Sequence, residues 1–207
     1  MTPPAVPDPL NFAAASVVDR CLSDAALRVA ATNVGGATVV DFGVKAEGGL
    51  RAGVELAHVC LAGLGSVAIE SGTFDGRPWP HVTMRTDQPV AACLLSQYAG
   101  WQIAVGKYFA MGSGPMRAVA RVEPLFEELD HADESDRVVG VLESGRLPDE
   151  PVVAWLCEKL RIGPERLTLC VAPTASVAGT IQVVARSVET ALHKLHELKF
   201  DVARVRS

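Results

Sequence analysis

Arg186 and Glu189 are the two residues of this sequence whose types and spacing best suit joint chemistry. They stand at positions i and i+3 of a segment with a helical period, so their side chains could meet or grip one small molecule between them. The approach to them is uncharged, because residues 167–185 contain no Asp, Glu, Lys or Arg. The pair is either a surface ion pair, worth about a few tenths of a kcal/mol and the commoner case, or the polar floor of a pocket.

The segment around this pair predicts one continuous helix over residues 177–198. Its apolar residues recur at steps of three and four, which places them on one stripe. They are Val177, Ile181, Val184, Val188, Leu192, Leu195 and Leu198. Gln182, Arg186, Glu189 and His193 gather on the opposite face. A strand over Leu167–Ala172 and a turn, whose Ser176 caps the helix, come before it.

Two other segments carry polar groups that could share a cleft with the pair. Ser96 and Gln97 follow an apolar run over residues 90–95; such side chains often line a cleft, although a capped strand-to-loop junction is the commoner case. The second segment reads Gly112-Ser113-Gly114-Pro115. Its glycines could present backbone N–H groups to an anion. Because the Lys-Ser/Thr ending of a P-loop is missing, a tight turn into a helix is the simpler interpretation.

Composition excludes several classes of function. With 49% hydrophobic and 21% charged residues in a length of 207, the chain is globular rather than disordered. Its formal charge of −5 gives no general attraction to nucleic acid or to an anionic membrane. The first residues lack a signal-peptide pattern, and no run is apolar enough to span a membrane. We therefore expect a cytoplasmic protein.

Metal and dinucleotide sites are not predicted. The five cysteines are scattered in apolar surroundings, which is typical of reduced, buried thiols. No histidines stand at metal-ligand spacing. Residues 63–68 match the letters of the G-x-G-x-x-A fingerprint. A helix is predicted before these glycines and a strand after them, which is the reverse of the order that the fingerprint needs.

The predicted strands and helices alternate irregularly, which indicates a layered α/β or α+β fold. Strands are predicted over residues 37–44, 66–70, 81–86, 137–142 and 167–172, with a loop over 71–80; helices are predicted over 10–31 (with a break near Ser23-Asp24), 50–62 and 152–160. Residues 1–9 predict a loose, proline-rich arm. The rest divides into a first α/β part (10–121) and a second part (122–207), whose acidic start at 122–136 is predicted to be a solvated face.

Five segments resemble methenyltetrahydromethanopterin cyclohydrolase, and they occur in the order expected for that family. They are residues 33–37 (NVGGA), 47–53 (EGGLRAG), 96–101 (SQYAGW), 108–118 (YFAMGSGPMRA) and 172–201 (APTASVAGTIQVVARSVETALHKLHELKFD). The resemblance implies a layered two-domain α/β fold with mixed sheets and a pterin cleft between the domains. It also implies a homotrimeric, cytoplasmic enzyme of one-carbon metabolism without a metal or prosthetic group.

The resemblance assigns roles to particular residues. Arg186 and Glu189 would be the catalytic pair, and the pocket would include Ser96, Gln97, Gly112, Ser113 and Gly114. The reaction would add water to the methenyl bridge of N5,N10-methenyl-tetrahydromethanopterin, or of the related methylotroph pterin, to give the 5-formyl derivative reversibly. The bridge carbon is already a delocalised cation, so the reaction needs an oriented water and a carboxylate that accepts its proton. Glu189 would be this base, and Arg186 would hold the water and keep Glu189 ionised.

Members of the family continue past the position of Ser207, with a segment that completes the fold and adds to the cleft. We therefore expect an incomplete fold in this chain. The alternative function is a catalytically inactive pterin-binding or assembly subunit. A weaker alternative is a phosphate or nucleotide binder that uses residues 112–115.

Overall fold

The computed structural model describes residues 9–207; of the arm predicted for residues 1–9, all but Pro9 lies outside the described residues. The α-helices are α1 (Leu10–Ser23), α2 (Leu50–Cys60), α3 (Met116–Ala120), α4 (Leu125–Glu128), α5 (Glu150–Leu160), α6 (Val177–Val184) and α7 (Ser187–Glu197). A π-helix spans Val90–Gln97, and single 3-10 turns lie at Ala25–Leu27, Pro164–Arg166 and Val202–Arg204. The strands are β1 (Ala30–Val34), β2 (Ala37–Asp41), β3 (Ser66–Phe74), β4 (Arg77–Arg85), β5 (Trp101–Val105), β6 (Tyr108–Ser113), β7 (Val138–Glu143) and β8 (Leu167–Ala172).

Six of the strands form one mixed sheet in the order β1-β2-β8-β7-β6-β5. The pairs β2–β8 and β7–β8 are parallel, and the other pairs are antiparallel. Strands β3 and β4 form a separate two-stranded ribbon. The predicted boundary at residue 121 falls between β6 and β7, which pair with each other, so both predicted parts contribute to the same sheet. The division into two domains stays a prediction.

The central strands are buried on both faces because helices cover both sides of the sheet. Val40 of β2 and Cys170 of β8 pack in one hydrophobic cluster with residues of α1 and α2. Their neighbours Val39 and Leu169 pack in a second cluster with residues of α5. Alternate residues of a strand point to opposite faces, which explains why these strands read as continuous apolar runs. The predicted α/β fold class is confirmed.

Most predicted elements are present, with small shifts at their ends. The break predicted near Ser23-Asp24 ends α1, but residues 30–31, which were predicted to be helical, belong to β1. Residues 90–95 form most of the π-helix rather than an extended segment. The tight turn predicted at residues 112–115 is confirmed, because β6 ends at Ser113 and α3 begins at Met116.

The loop predicted over residues 71–80 is wrong. Strands β3 and β4 stay paired across this range up to Phe74 and Arg77. Only Asp75 and Gly76 form the turn, and both have positive φ angles, of 50° and 71°. This is the conformation that favours Asp-Gly in a two-residue hairpin turn. The Gly and Pro residues of the segment therefore do not interrupt the ribbon.

The continuous helix predicted over residues 177–198 is also wrong, because the chain breaks at Ala185-Arg186 into α6 and α7. Ser176 caps α6 as predicted, since its Oγ accepts a hydrogen bond from the backbone N–H of Gly179 at 3.0 Å. Gln182 is fully buried, whereas Val177 and Val184 of the predicted apolar stripe are 51% and 50% exposed. The face that looked polar in the sequence therefore points into the protein.

Close packing explains why this face of α6 is buried. A methyl group on Gly53 of α2 would lie only 2.6 Å from Cβ of Ile181 and 2.9 Å from the carbonyl oxygen of Ala178. The absence of a side chain at Gly53 lets α2 and α6 approach each other closely.

The acidic stretch over residues 122–136 is only partly a solvated face. Asp133 is buried, and its carboxylate accepts hydrogen bonds from the backbone N–H groups of Leu10 and Asn11, each at 2.9 Å. It thereby caps the start of α1, where helical N–H groups lack intrahelical partners. Glu123 also points inward and pairs with Arg117. The prediction is wrong for these two carboxylates.

Three other predictions concern a dinucleotide site, the cysteines and membrane-spanning helices. Residues 63–68 follow α2 and lead into β3. This helix-then-strand order is the predicted one, and it is the reverse of the order that a dinucleotide fingerprint needs. The five cysteines are free thiols, and four of them are buried. Among residues 9–207, the helices are all too short or too polar to cross a bilayer.

Candidate active site

The guanidinium group of Arg186 is the centre of a buried polar cluster. Its Nη2 atom lies 2.6 Å from Oε1 of Glu143. The same nitrogen donates hydrogen bonds to Oγ of Ser113 at 3.1 Å and to Oε1 of Gln182 at 3.0 Å. Arg186 is only 9% exposed. A buried arginine with one carboxylate and two neutral acceptors is held in a fixed orientation.

Each partner of Arg186 comes from a different element. Ser113 ends β6, Glu143 ends the adjacent strand β7, and Gln182 lies on α6 above them. Gln182 joins the two charges, because its Nε2 donates to Oε1 of Glu143 at 3.1 Å while its Oε1 accepts from Arg186. The thiol of Cys60, on α2, also donates to Oε1 of Gln182, at 3.5 Å. The cluster thus ties the sheet to α2 and α6.

Glu189 lies in the first turn of α7 and is 5% exposed. Within the described residues, no ion pair of 4.0 Å or less joins Glu189 to Arg186. The surface ion pair considered from their i, i+3 spacing is therefore not formed, and Arg186 pairs with Glu143 instead. The break of the helix places Arg186 at the cap position of α7, outside the regular turn. Burial raises the pKa of Glu189, the charges of Arg186 and Arg117 oppose this shift, and the charge of Glu143 reinforces it.

Ser96 and Gln97 end the π-helix beside this cluster, and both are fully buried. Oγ of Ser96 donates to the carbonyl oxygen of Cys60 at 2.5 Å. Nε2 of Gln97 donates to the carbonyl oxygen of Ala185 at 3.3 Å, directly before Arg186. Oε1 of Gln97 is buried without a hydrogen-bond partner among the described residues. The structure therefore brings this segment to the catalytic candidates, although the Ser96 hydroxyl already has a protein partner.

The Gly112-Ser113-Gly114 segment reaches the same place. A methyl group on Gly112 would lie 2.8 Å from Cδ1 of Ile103, so this glycine serves close packing. Gly114 has φ of 82°, which favours glycine, and its N–H donates to the carbonyl oxygen of Ser96 at 2.9 Å. Together these features aim Ser113 at Arg186 and join the two predicted pocket segments.

A second arginine, Arg117 of α3, is fully buried and hydrogen-bonds to the π-helix. Its Nη1 donates to the carbonyl oxygens of Leu94 and Ser96 at 3.2 and 3.3 Å. Its Nε donates to Oε1 of Glu123 at 2.7 Å. The aromatic rings of Tyr98 and Phe126 lie 4.9 and 5.2 Å from its guanidinium carbon, measured to the ring centroids. Arg117 therefore fixes the end of the π-helix that carries Ser96 and Gln97.

A family model described as Cyclohydrolase (MCH) matches residues 9–207. The chain belongs to this family.

Individual relatives support the same assignment. A methenyltetrahydromethanopterin cyclohydrolase of Methanosarcina barkeri is 47% identical over 173 residues, which cover 83% of this chain and 54% of the relative. The one from Rhodopirellula baltica is 49% identical over 175 residues, covering 83% and 53%. The one from Methylobacterium nodulans is 44% identical over 203 residues, covering 95% and 62%. The chain thus spans little more than half the length of these curated relatives, and the resemblance seen in the sequence is confirmed.

Three residues of this candidate site were given no role by the sequence. Glu143 had a detectable signal, since it is a charged residue that ends an apolar strand. Arg117 stands within the quoted MGSGPMRA segment, but nothing in its neighbours indicates that it is buried. Gln182 was placed on the correct helix face without a function. Within residues 9–207, no group of three or more His, Cys, Asp or Glu side chains is arranged to hold a metal ion.

Proposed function

We propose that this chain hydrolyses the methenyl bridge of N5,N10-methenyl-tetrahydromethanopterin, or of a related pterin, to the 5-formyl derivative. The observation that carries the proposal is a buried carboxylate, Glu189, in the field of an arginine that is already anchored to other groups. The relatives are named methenyltetrahydromethanopterin cyclohydrolases, which supports a reaction of this class. The proposed substrate is thus a small pterin, and neither nucleic acid nor a membrane takes part.

Glu189 acts as the general base in this proposal. Its carboxylate accepts a proton from water while the water oxygen forms a bond to the methenyl carbon. The C–N10 bond then breaks, its electron pair takes up the proton held by Glu189 at N10, and the carbon-bound hydroxyl releases its own proton to water as the formyl C=O forms. Burial raises the pKa of Glu189, which makes its carboxylate a stronger base than an exposed one. General-base assistance of this kind contributes about 10²- to 10⁴-fold.

Arg186 orients the attacking water. Its Nη2 atom donates hydrogen bonds to Ser113 and Gln182 and forms an ion pair with Glu143. Within the described chain its side-chain hydrogen bonds come from Nη2: Nε is buried without a partner, and Nη1 is left to supply a donor for the water. Because the protein acceptors fix the guanidinium plane, the direction of that donor is fixed as well. In this role Arg186 positions oxygen rather than neutralising Glu189.

The charges of the cluster suit a cationic substrate. Glu143 and Glu189 together carry one more negative charge than Arg186 balances, and both are largely withdrawn from water. A methenyl pterin carries a delocalised positive charge at the reacting carbon, so the excess negative charge favours its binding. The carbon is electrophilic through that charge, and the proposed reaction therefore uses no metal ion or prosthetic group.

The proposal extends to the setting of the site. Ser96, Gln97 and residues 112–114 belong to the pterin pocket in this proposal, where they support the residues that contact the substrate. The chain works as a homotrimer in the cytoplasm. A second candidate is an inactive pterin-binding or assembly subunit, which the exposed apolar residues Val177 and Val184 on α6 favour.

Replacement of Glu189 by Gln tests the proposal. Loss of the methenyl absorbance, followed with this chain alone, should slow about 10²- to 10⁴-fold. The unfolding temperature of Glu189→Gln should be at least as high as that of the wild type, because the uncharged Gln avoids the cost of burying a charge. Glu197→Gln, on the exposed side of the same helix, is the matched control and should keep wild-type turnover.

Turnover close to wild type in Glu189→Gln would remove Glu189 from its role as base. Binding of the pterin without turnover by the wild-type chain would instead support the inactive subunit.

A further inference from the structure

Glu143 is the carboxylate that contacts Arg186, although the sequence pointed to Glu189. Its Oε1 atom lies 2.6 Å from Nη2 of Arg186 and 3.1 Å from Nε2 of Gln182. The side chains of Glu143 and Arg186 are 12% and 10% exposed, so the pair is largely withdrawn from solvent. A guanidinium and an amide donor therefore already occupy Oε1 of Glu143. The role of base is assigned to Glu189 and not to Glu143.

We propose that Glu143 is a positioning residue for the reaction: it holds the guanidinium group of Arg186 against β6 and β7, so that the carboxylate of Glu189 remains free to take a proton from water. This inference rests on the proposed function. It assigns to Glu143 an action through Arg186 and not through contact with the substrate.

The arrangement of acceptors around Arg186 supports this role. Glu143, Ser113 and Gln182 all lie around a single nitrogen, Nη2. Without the charge of Glu143, only the two neutral acceptors would hold Arg186, and the attraction between the opposite charges in this buried pair would be lost. Glu189 is the nearby buried carboxylate that Arg186 could then turn towards. A direct Arg186–Glu189 ion pair would weaken the base.

Groups from several elements act on the protonation of Glu189. Burial raises its pKa; Arg186 at the start of α7 and Arg117 on α3 lower it, and Glu143 on β7 raises it. Cys93 of the π-helix and Tyr98, which follows that helix, also lie in the field of Glu189.

His193 is a further titratable residue on the same helix as Glu189, four residues after it. Its ring stacks on Tyr98, with ring centroids 4.3 Å apart. The loss of the Glu143 charge, and the release of Arg186 that follows from it, both shift the pKa of Glu189 downward.

The test compares the wild-type chain with Glu143→Gln, which removes the charge and keeps the size of the side chain. The carboxyl groups are labelled with ¹³C-glutamate, and the signal of Glu189 is assigned by its loss in Glu189→Gln. In Glu143→Gln the titration midpoint of Glu189 should move to lower pH. The acid limb of the kcat profile should move in the same direction, and kcat should fall by up to about 100-fold with little change in KM.

Two further variants separate positioning from a general loss of structure. Glu143→Asp keeps the charge but shortens its reach, so it should give smaller shifts in the same direction and retain more turnover than Glu143→Gln. Glu47→Gln removes a carboxylate that pairs with Arg28 on the surface, and it should change neither readout.

The outcomes distinguish this inference from the proposed function. An unchanged or higher midpoint for Glu189 in both Glu143 variants, with hydrolysis by the wild type, would overturn the inference alone. Absence of hydrolysis in the wild type would overturn the proposed function. The carboxyl titration needs no turnover, so it still decides in that case whether Glu143 controls the protonation of Glu189.

Discussion

Arg117 and Arg186 are two buried arginines in neighbouring parts of the molecule, and each pairs with one glutamate. Arg117 contacts Glu123 at 2.7 Å and Arg186 contacts Glu143 at 2.6 Å. Both also hydrogen-bond to residues of other elements. By burial and by ion pairing alone, the two sites would be given the same role.

Their surroundings separate them. The guanidinium of Arg117 uses Nε and Nη1 for protein acceptors, and the rings of Tyr98 and Phe126 lie against it. Arg186 gathers its acceptors on one nitrogen, and the buried carboxylate of Glu189 lies nearby without an ion pair to it. A buried ion pair is therefore weak evidence for catalysis. An additional titratable group beside an anchored pair is the stronger signal.

The largest effect that this comparison predicts is the loss of stability in Arg117→Leu. The variant leaves Glu123 without its buried partner and two carbonyl groups of the π-helix without a donor, at a cost of about 3–5 kcal/mol. For a chain of this size the unfolding temperature should fall by about 6–20 °C. Thermal and urea unfolding measure both quantities.

A surface arginine supplies the control for this prediction. Arg85→Leu breaks a looser, exposed contact of 3.7 Å to Glu70 and should change the free energy of unfolding by less than about 0.5 kcal/mol. In the double variant Arg117→Leu/Glu123→Leu, part of the lost stability should return, because the orphaned charge is removed as well. A loss below about 1 kcal/mol in the single variant would contradict the structural role of Arg117.

Arg186→Lys should show the opposite balance between stability and activity. Lysine keeps the charge, but its compact ammonium group cannot reproduce the planar guanidinium that contacts Glu143 and, in the proposed reaction, orients the water. We expect turnover to fall at least about tenfold, which corresponds to about 1.4 kcal/mol of transition-state stabilisation. The free energy of unfolding should change by less than that amount. If stability fell strongly while turnover was retained, Arg186 would resemble Arg117 and the comparison would fail.

Several elements of the fold could be predicted from the sequence because their signals are local. Strands β2, β7 and β8 are short apolar runs bounded by turn residues, and Ser176 is a suitable cap for α6. The π-helix could not be predicted, since an apolar run of that length fits a strand or a helix equally well. The helix break at Ala185-Arg186 could not be predicted either, because neither Gly nor Pro stands at these positions.

The site was predictable in part. Arg186, Glu189 and the two polar segments were named from their residue types and from the resemblance, and the fold brings them together. The partner of Arg186 was not predictable, because an i, i+3 spacing describes neighbours within one helix only. Glu143 reaches Arg186 through the pairing of β7 with β6 and the packing of α6 above them. Such contacts depend on the whole sheet.

The pH dependence of stability provides the finest test of the comparison. Burial raises the pKa of Glu189 above its ordinary value of 4.5, so the folded chain binds this proton more tightly than the unfolded chain. The stabilisation is fully present below 4.5 and is lost as pH rises through the folded pKa. The free energy of unfolding of the wild type minus that of Glu189→Gln should therefore decrease with rising pH, measured by urea unfolding from acid to neutral pH.

Asp41 supplies a matched carboxylate with the opposite sign. Burial would raise its pKa, but hydrogen bonds from the backbone N–H groups of residues 43–46 outweigh this effect and lower it. Its stabilisation is present above its ordinary value of 3.8 and is lost as pH falls through the folded pKa, so the wild type minus Asp41→Asn difference should increase with pH. If Arg186 formed a direct ion pair with Glu189 that outweighed the effect of burial, the Glu189 difference would follow Asp41. If the two differences have opposite slopes against pH, Arg186 pairs with Glu143 and leaves the carboxylate of Glu189 available as a base.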